Sequence, residues 1–268
     1  MQKNDMTVTT LSLADSFRRY FQVNLALTEE QKQAAYGIRY RVYCEEFGYE
    51  PIESFPSQME SDRFDARSLH CIVRHKGTGR GAGCVRLVFP QAGRGIDDLP
   101  LGLFCADSLD YALLGQLDLP ESTTCEVSRL AVDTAFRRRA GEDRTRFGDV
   151  DAIDCSYHER RTFSLISVAA FLAATALTEL AGRTNVFAMM EPFLPRLLAK
   201  SGIIFRKIGK EIEYHGARAP YFTTTTSAID GMLPDLRKLY DAIHREVSED
   251  YQKHLSTVAA ALPSIALV

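Results

Sequence analysis

The run C-E-V-S-R-L-A-V-D, residues 125–133, sets Glu126, Ser128 and Arg129 among apolar neighbours. Unpaired charge in such a setting is costly, so a carboxylate, a hydroxyl and a guanidinium together signal either chemistry or a structural ion pair. A carboxylate there can serve as a base, and a strand N–H can polarise a carbonyl. In regular pleating Glu126 and Ser128 face one side and Arg129 the other. A β-bulge would rotate that relation and free a backbone N–H, a device strands use beside active sites.

Three further sets are candidates. Asp62 and Asp65 stand in E-S-D-R-F-D, where acidic residues three apart also serve as turn-formers or caps. Arg86 sits in the apolar run G-C-V-R-L-V-F, and Arg39 on a face with Tyr43 and Glu46. An Arg in such company holds a carboxylate or phosphate bidentately, or forms a buried structural pair. The stretch F-R-R-R-A-G-E-D-R-T-R-F-G, residues 136–148, carries an excess of +3, with Arg137, Arg138 and Arg139 consecutive. It reads as a solvated loop or as a docking patch for an acidic partner or a phosphate-bearing ligand. Gly141 stands alone in it, so it is not a phosphate-cradling glycine loop. No His, Cys or acidic cluster has metal-ligand spacing. Of the scattered histidines, His215 in E-Y-H-G-A-R-A-P-Y lies in a turn between two strands, beside Tyr214 and Arg218.

The elements that must position these residues follow from periodicity. Leu13–Tyr20 is an amphipathic lead-in, and residues 21–27 alternate as a first strand. Thr28 with Gln31 makes a capping box for a helix from Glu29 to about Gly48, with Tyr36, Tyr40, Tyr43 and Phe47 at spacings of four and three. Residues 69–74 and 82–89 form a hairpin around H-K-G-T-G-R-G. Residues 91–124 are irregular and read as an insertion. Strands are expected at 125–133, 185–191, 203–208 and 219–225. Helices are expected at about 164–181, 193–200 and 232–251.

Composition sets the outer bounds. The chain has 268 residues, a formal charge of −3, six Cys and no Trp. It is 46% hydrophobic and 25% charged, which excludes collagen-like, disordered and disulfide-scaffold classes. A pI near 6.1 argues against a general nucleic-acid binder. No Cys-x-x-Cys pair and no N-terminal signal-peptide core are present, so reduced, buried thiols in a cytoplasmic protein are expected. The uncharged run of residues 162–178 is rich in Ala, Ser and Thr and falls short of the roughly 20 apolar residues of a span, so it reads as a core helix.

The motifs Y-G-I-R-Y-R-V-Y-C-E-E-F-G-Y-E-P, D-R-F-D, H-C-I-V with G-C-V-R-L-V, and E-V-S-R-L-A-V resemble the acyl-homoserine-lactone synthase and N-acyl amino acid synthase branch of the GNAT superfamily. With M-M-E-P, L-L-A-K-S-G-I-I-F and E-Y-H-G-A-R-A-P-Y, the likeness is closer to the acyltransferases associated with PEP-CTERM/exosortase systems. It is strongest over residues 17–90 and 125–225. The resemblance implies an α/β fold with a mixed, strongly twisted central sheet, helices on both faces, a V-shaped splay between central strands and a C-terminal helical extension. It implies one domain over 1–268, with a core at about 17–226, the insertion at 91–124 and a helix and tail at 227–268. The activity implied is amide formation from an acyl thioester, with no tightly bound cofactor and acyl carrier protein or coenzyme A carrying the acyl group. By position, Glu126, Ser128 and Arg129 match the catalytic strand, and Arg39, Tyr43, Asp62, Asp65 and Arg86 the substrate-binding set. The lactone synthases carry a Trp soon after the first-helix aromatic, and its absence points away from lactone formation. The coenzyme A loop pattern Arg/Gln-x-x-Gly-x-Gly/Ala is also missing after Asp133. A carrier protein docking at Arg137–Arg139 is therefore the more natural donor.

On this reading Glu126 accepts an ammonium proton through water, since a carboxylate near its ordinary pKa is a weak base for direct abstraction. The first-helix aromatics and the helix at 164–181 line an acyl pocket or simply pack the core. The alternatives are a GNAT enzyme using an acyl-coenzyme A with another amine, and a non-catalytic module that binds acyl chains or a carrier protein.

Overall fold

The computed structural model describes residues 12–117, 119–136 and 165–261. Ser12 accepts the Asp15 N–H and starts α1 (Leu13–Tyr20), which leads into β1 (Phe21–Leu25), where Phe21, Val23 and Leu25 are buried. Thr28 opens α2 (Glu29–Arg39). Its hydroxyl accepts the Gln31 N–H at 3.2 Å, and the Gln31 side-chain oxygen accepts the Thr28 N–H at 3.0 Å, closing the expected capping box. The helix does not run on regularly to Gly48. It widens into a π-helical turn over Tyr40–Glu46, so the face predicted from spacings of three and four breaks after Arg39.

The remaining elements are β2 (Ser68–His75), β3 (Gly81–Val88), α3 (Pro100–Phe104), α4 (Tyr111–Leu114), β4 (Thr124–Val132), α5 (Leu165–Leu180) and β5 (Asn185–Met190). They continue with α6 (Leu194–Ala199), β6 (Arg206–Lys207), β7 (Ile212–Glu213), β8 (Ala217–Thr224), α7 (Thr225–Gly231) and α8 (Pro234–Ala261). The strand expected over 203–208 shrinks to Arg206–Lys207, because pairing with β8 is confined to those two residues. The last helix runs ten residues past the predicted end.

The sheet order is β1-β2-β3-β4-β5-β8-β6, with β7 on β8. Each neighbouring pair is antiparallel except β4 with β5, which run parallel. One face packs on α1, α5 and α8 through a core that includes Phe17, Phe21, Leu172 and Ile243. Helix α5 approaches closely at Gly83 of β3, where a Cβ would lie 2.8 Å from Ile166 Cγ2 and 3.0 Å from the Ala131 carbonyl oxygen. The other face carries α2, whose Ala35 and Ile38 meet Ile72, Cys84 and Ala131. Residues 91–124 are more than an insertion. Leu99, Leu101, Leu109 and Leu114 form a further core with Val88, Phe187 and Phe222. Among the described residues no helix is long and apolar enough to cross a membrane.

Candidate active site

Strand β4 holds the centre of the site. Against β3, Val88 pairs with Glu126 and Arg86 with Ser128, then Cys84 with Ala131. Two residues of β4, Arg129 and Leu130, therefore oppose the single residue Val85, which is a β-bulge. Arg129 takes the left-handed backbone, φ 51°, to make it. The consequence shows in the side chains. Cys125, Val127, Leu130 and Val132 belong to the core beneath α5, while Ala131 lies beneath α2. Arg129, which simple alternation would send to the α5 side, joins Glu126 and Ser128 on the other.

Six buried or half-buried charges close a ring behind this strand. Arg39 pairs with Glu60 and, at 2.7 and 3.1 Å, bidentately with Asp65. Asp65 receives Arg86 at 2.8 Å, and Arg86 donates to Asp62 at 2.6 Å. Asp62 accepts from Arg129 at 3.2 Å, and Arg129 returns to Glu60 at 3.1 Å. Cations and anions alternate around the ring and balance. Burial opposes ionisation of Asp65 and Glu60, but the neighbouring guanidiniums outweigh it. Arg39, with help from Arg86, holds Asp65 well below the usual carboxylate range, and Arg39 with Arg129 holds Glu60 below its own. Arg39 and Arg129 are correspondingly pushed up by these carboxylates against the effect of burial. The ring is also tied to its neighbouring strand, since Arg86 Nε of β3 donates to Ser128 Oγ of β4 at 3.1 Å.

Glu126 stands outside the ring. It is 2% exposed, and its Oε2 accepts the Leu101 N–H from α3 at 2.8 Å. Burial pushes its carboxyl up to about 7, with Leu101, Arg86 and Arg129 pulling only partly back. This revises the sequence expectation of an ordinary, weakly basic carboxylate. A neutral ring next door offers no net positive charge, so desolvation prevails.

Beyond Glu126 the sheet opens. Strand β4 pairs with β5 only at Thr124–Glu126 against Asn185–Phe187, although both strands continue. The gap holds a cavity in two arms that share Tyr43, Val127, Ser128, Arg129, Met189 and Arg218. The polar arm, about 570 Å³ including its open mouth, is walled by Glu126, Glu50, Tyr49, Tyr214 and His215. The apolar arm, about 670 Å³ on the same measure, runs between Val127 and Leu130 of β4 and Ala188 and Met190 of β5.

Of the sequence-predicted residues, Glu126, Ser128, Arg129 and Tyr43 line the cavity. The Tyr43 hydroxyl donates to the Leu130 carbonyl at 3.0 Å, and Arg129 lies over its ring. Arg39, Asp65 and Arg86 sit one layer behind, in the ring, and Asp62 joins them there. Arg137, Arg138 and Arg139 lie outside the described residues. Sequence reasoning missed Glu60, two residues before Asp62, because only its distant partners mark it out. It also missed Glu50, Tyr49 and the Leu101 N–H. His215 was singled out as a turn residue. It takes φ 52°, stands 3.7 Å from Glu50 and faces the polar arm.

The acetyltransferase (GNAT) domain family model matches residues 38–146. No curated protein matches the chain. Among solved structures, the AHL synthase LasI superposes with a TM-score of 0.52 at 14% identity, over 80% of this chain and 95% of that one. The CoA-dependent acyl-homoserine lactone synthase MesI gives 0.52 at 15% identity, over 84% and 95%. FeeM, an N-acyl amino acid synthase from uncultured soil microbes, gives 0.51 at 14% identity, over 81% and 97%. At these identities the likeness is one of fold, and that fold is the GNAT type expected from the sequence motifs.

Proposed function

We propose that the protein is an N-acyltransferase that moves a long-chain acyl group from an acyl thioester to the amine of an amino acid or related small molecule. The observation that carries the reading is the position of Glu126, whose carboxyl is pushed up to about 7 where β4 and β5 part, in the wall of the polar arm and one residue before Val127, which lines both arms. The match to a GNAT domain, and the activities that name MesI and FeeM, support it from outside the chain.

The acyl chain occupies the apolar arm and the acceptor the polar arm. Burial brings the carboxyl of Glu126 closer to the range of an ammonium group than an ordinary carboxylate stands, which favours proton transfer to it, directly or through water. The freed amine attacks the thioester carbonyl. A backbone N–H at the β4 bulge and the Ser128 hydroxyl polarise its oxygen. The new C–N bond forms, the C–S bond breaks, and the second ammonium proton leaves with the thiolate as a thiol. Arg129 meets the acceptor's carboxylate, while Arg39, Arg86, Asp62 and Asp65 hold Arg129 and Ser128 in place.

The donor is acyl carrier protein, docked on the basic run at Arg137–Arg139, with acyl-coenzyme A as the second reading because MesI is CoA-dependent. The motifs M-M-E-P and E-Y-H-G-A-R-A-P-Y support a place among exosortase-associated acyltransferases acting in the cytoplasm. Mass spectrometry of lipid extracts from expressing cells tests the function. N-acylated amines are expected with the wild type and not with Glu126→Gln. Extracts that match an empty-vector control would overturn the reading.

A further inference from the structure

The apolar arm does not end where the outer cavity ends. A smaller space, about 250 Å³ on the same measure including its open side, lies beneath α5, lined by Ala174, Thr178, Val186 and Ala228 among others. Val127, Phe171 and Phe205 line both spaces and therefore form the wall between them. The Phe171 and Phe205 rings meet edge to face, with centroids 6.0 Å apart and planes at 65°. Both rings keep part of their surface exposed, although Ala170 and Leu172 beside Phe171 on α5 are buried.

The inner space suits hydrocarbon. Thr175 donates its hydroxyl proton to the Phe171 carbonyl at 3.1 Å, and Thr223 donates to the Ile204 carbonyl at 2.9 Å. Thr178 donates to the Thr175 carbonyl at 2.8 Å, so the 2.7 Å contact between the Thr178 and Thr225 hydroxyls takes its proton from Thr225. Each of these protons already has an acceptor within the protein. A polar chain end would lose water there without gaining a donor, whereas a methyl end loses nothing.

We propose that the Phe171–Phe205 pair is the stop that sets acyl-chain length. The inference deepens the acyl-transfer reading and rests on it for the direction of entry. A straight saturated chain enters from the Glu126 end, fills the outer space and ends against the two rings. The inner space is the room that opens when either ring is cut back.

Chain-length profiles test this without requiring catalysis. Straight-chain saturated fatty acids of graded length are used to displace a fluorescent fatty acid from the wild type and from Phe171→Ala, Phe205→Ala and Phe171→Leu. Affinity should rise about four-fold per added methylene, the ratio equivalent to about 0.8 kcal/mol, and then stop rising at a definite length. Both alanine variants should move that break to chains at least two carbons longer. Phe171→Leu, which keeps more of the packing, should move it less. Adding Ala228→Leu to Phe171→Ala fills the inner space and should bring the break back. Acyl-thioester substrates of the same lengths should show the same break in kcat/KM.

A break that stays put in every single variant overturns the stop while leaving the acyl channel intact. Displacement by no fatty acid of any length overturns the stop and the channel together. Breaks that move as expected, in a protein that forms no amide, support the stop and overturn the transfer reading alone.

Discussion

Replacing Glu126 by Gln should stabilise the protein, and the gain should depend on pH in a defined way. The carboxyl shifts from an ordinary 4.5 to about 7 on folding, and at 2% exposure solvent screens little of that change. A difference of about 2.5 pH units corresponds to about 3.4 kcal/mol, at about 1.36 kcal/mol per unit. The sign follows from proton binding. Between 4.5 and 7 the folded state keeps a proton that the unfolded state has released, so stability falls as pH rises through that window and levels off above it. The amide of Glu126→Gln still accepts the Leu101 N–H and has no such proton to lose. Urea unfolding of both proteins from pH 5 to pH 8 isolates the effect, because all other titrating groups are common to them. The stability advantage of the variant should grow by about 2.5 kcal/mol across that range, most of it below pH 7. A gap that does not change with pH would refute the argument that Glu126 is buried apart from net positive charge.

The charged ring and the bulge give further expectations. Arg39→Ala leaves Glu60 and Asp65 facing each other without a shared cation, so urea unfolding should show a loss of about 3–5 kcal/mol. Arg129→Gly and Arg129→Ala lose the same ion pairs, but only glycine takes φ 51° without steric cost. The glycine variant should be the more stable by about 1–2 kcal/mol, and the reverse order would count against the bulge. Reversing the charges of Arg137, Arg138 and Arg139 should raise KM for acyl carrier protein more than for acyl-coenzyme A, with the difference shrinking as salt is added. Equal effects on both donors would argue against carrier-protein docking there.

What the sequence made legible divides along local and long-range lines. The capping box at Thr28 and Gln31, the hairpin strands and the apolar α5 are set by neighbours within a few residues, and they formed as expected. The concentration of polar groups in residues 125–133 was readable because burial without a partner is costly. A bulge was even anticipated there. Its effect, turning Arg129 to join Glu126, needed the β3 register. Three kinds of information were hidden. The π-helical turn after Arg39 leaves no mark in the aromatic spacing, which reads as a continuous helix. Glu60 gains its meaning from Arg39 and Arg129, which lie 21 and 69 residues away. The raised pKa of Glu126 comes from burial, offset only in part by the Leu101 N–H from residues 91–124, a stretch without any periodic pattern.

In the proposed reaction Glu126 takes the acceptor's proton in the polar arm beside the acyl channel. The pH dependence of kcat/KM for amide formation, with purified protein, an acyl thioester and an amino acid, tests it most directly. The wild type should show an ascending limb with an apparent pKa near 7, in addition to the acceptor's own titration. In Glu126→Gln that limb should vanish, with the rate about 10²–10⁴-fold lower. A variant that keeps both the limb and the rate would rule out Glu126 as the base.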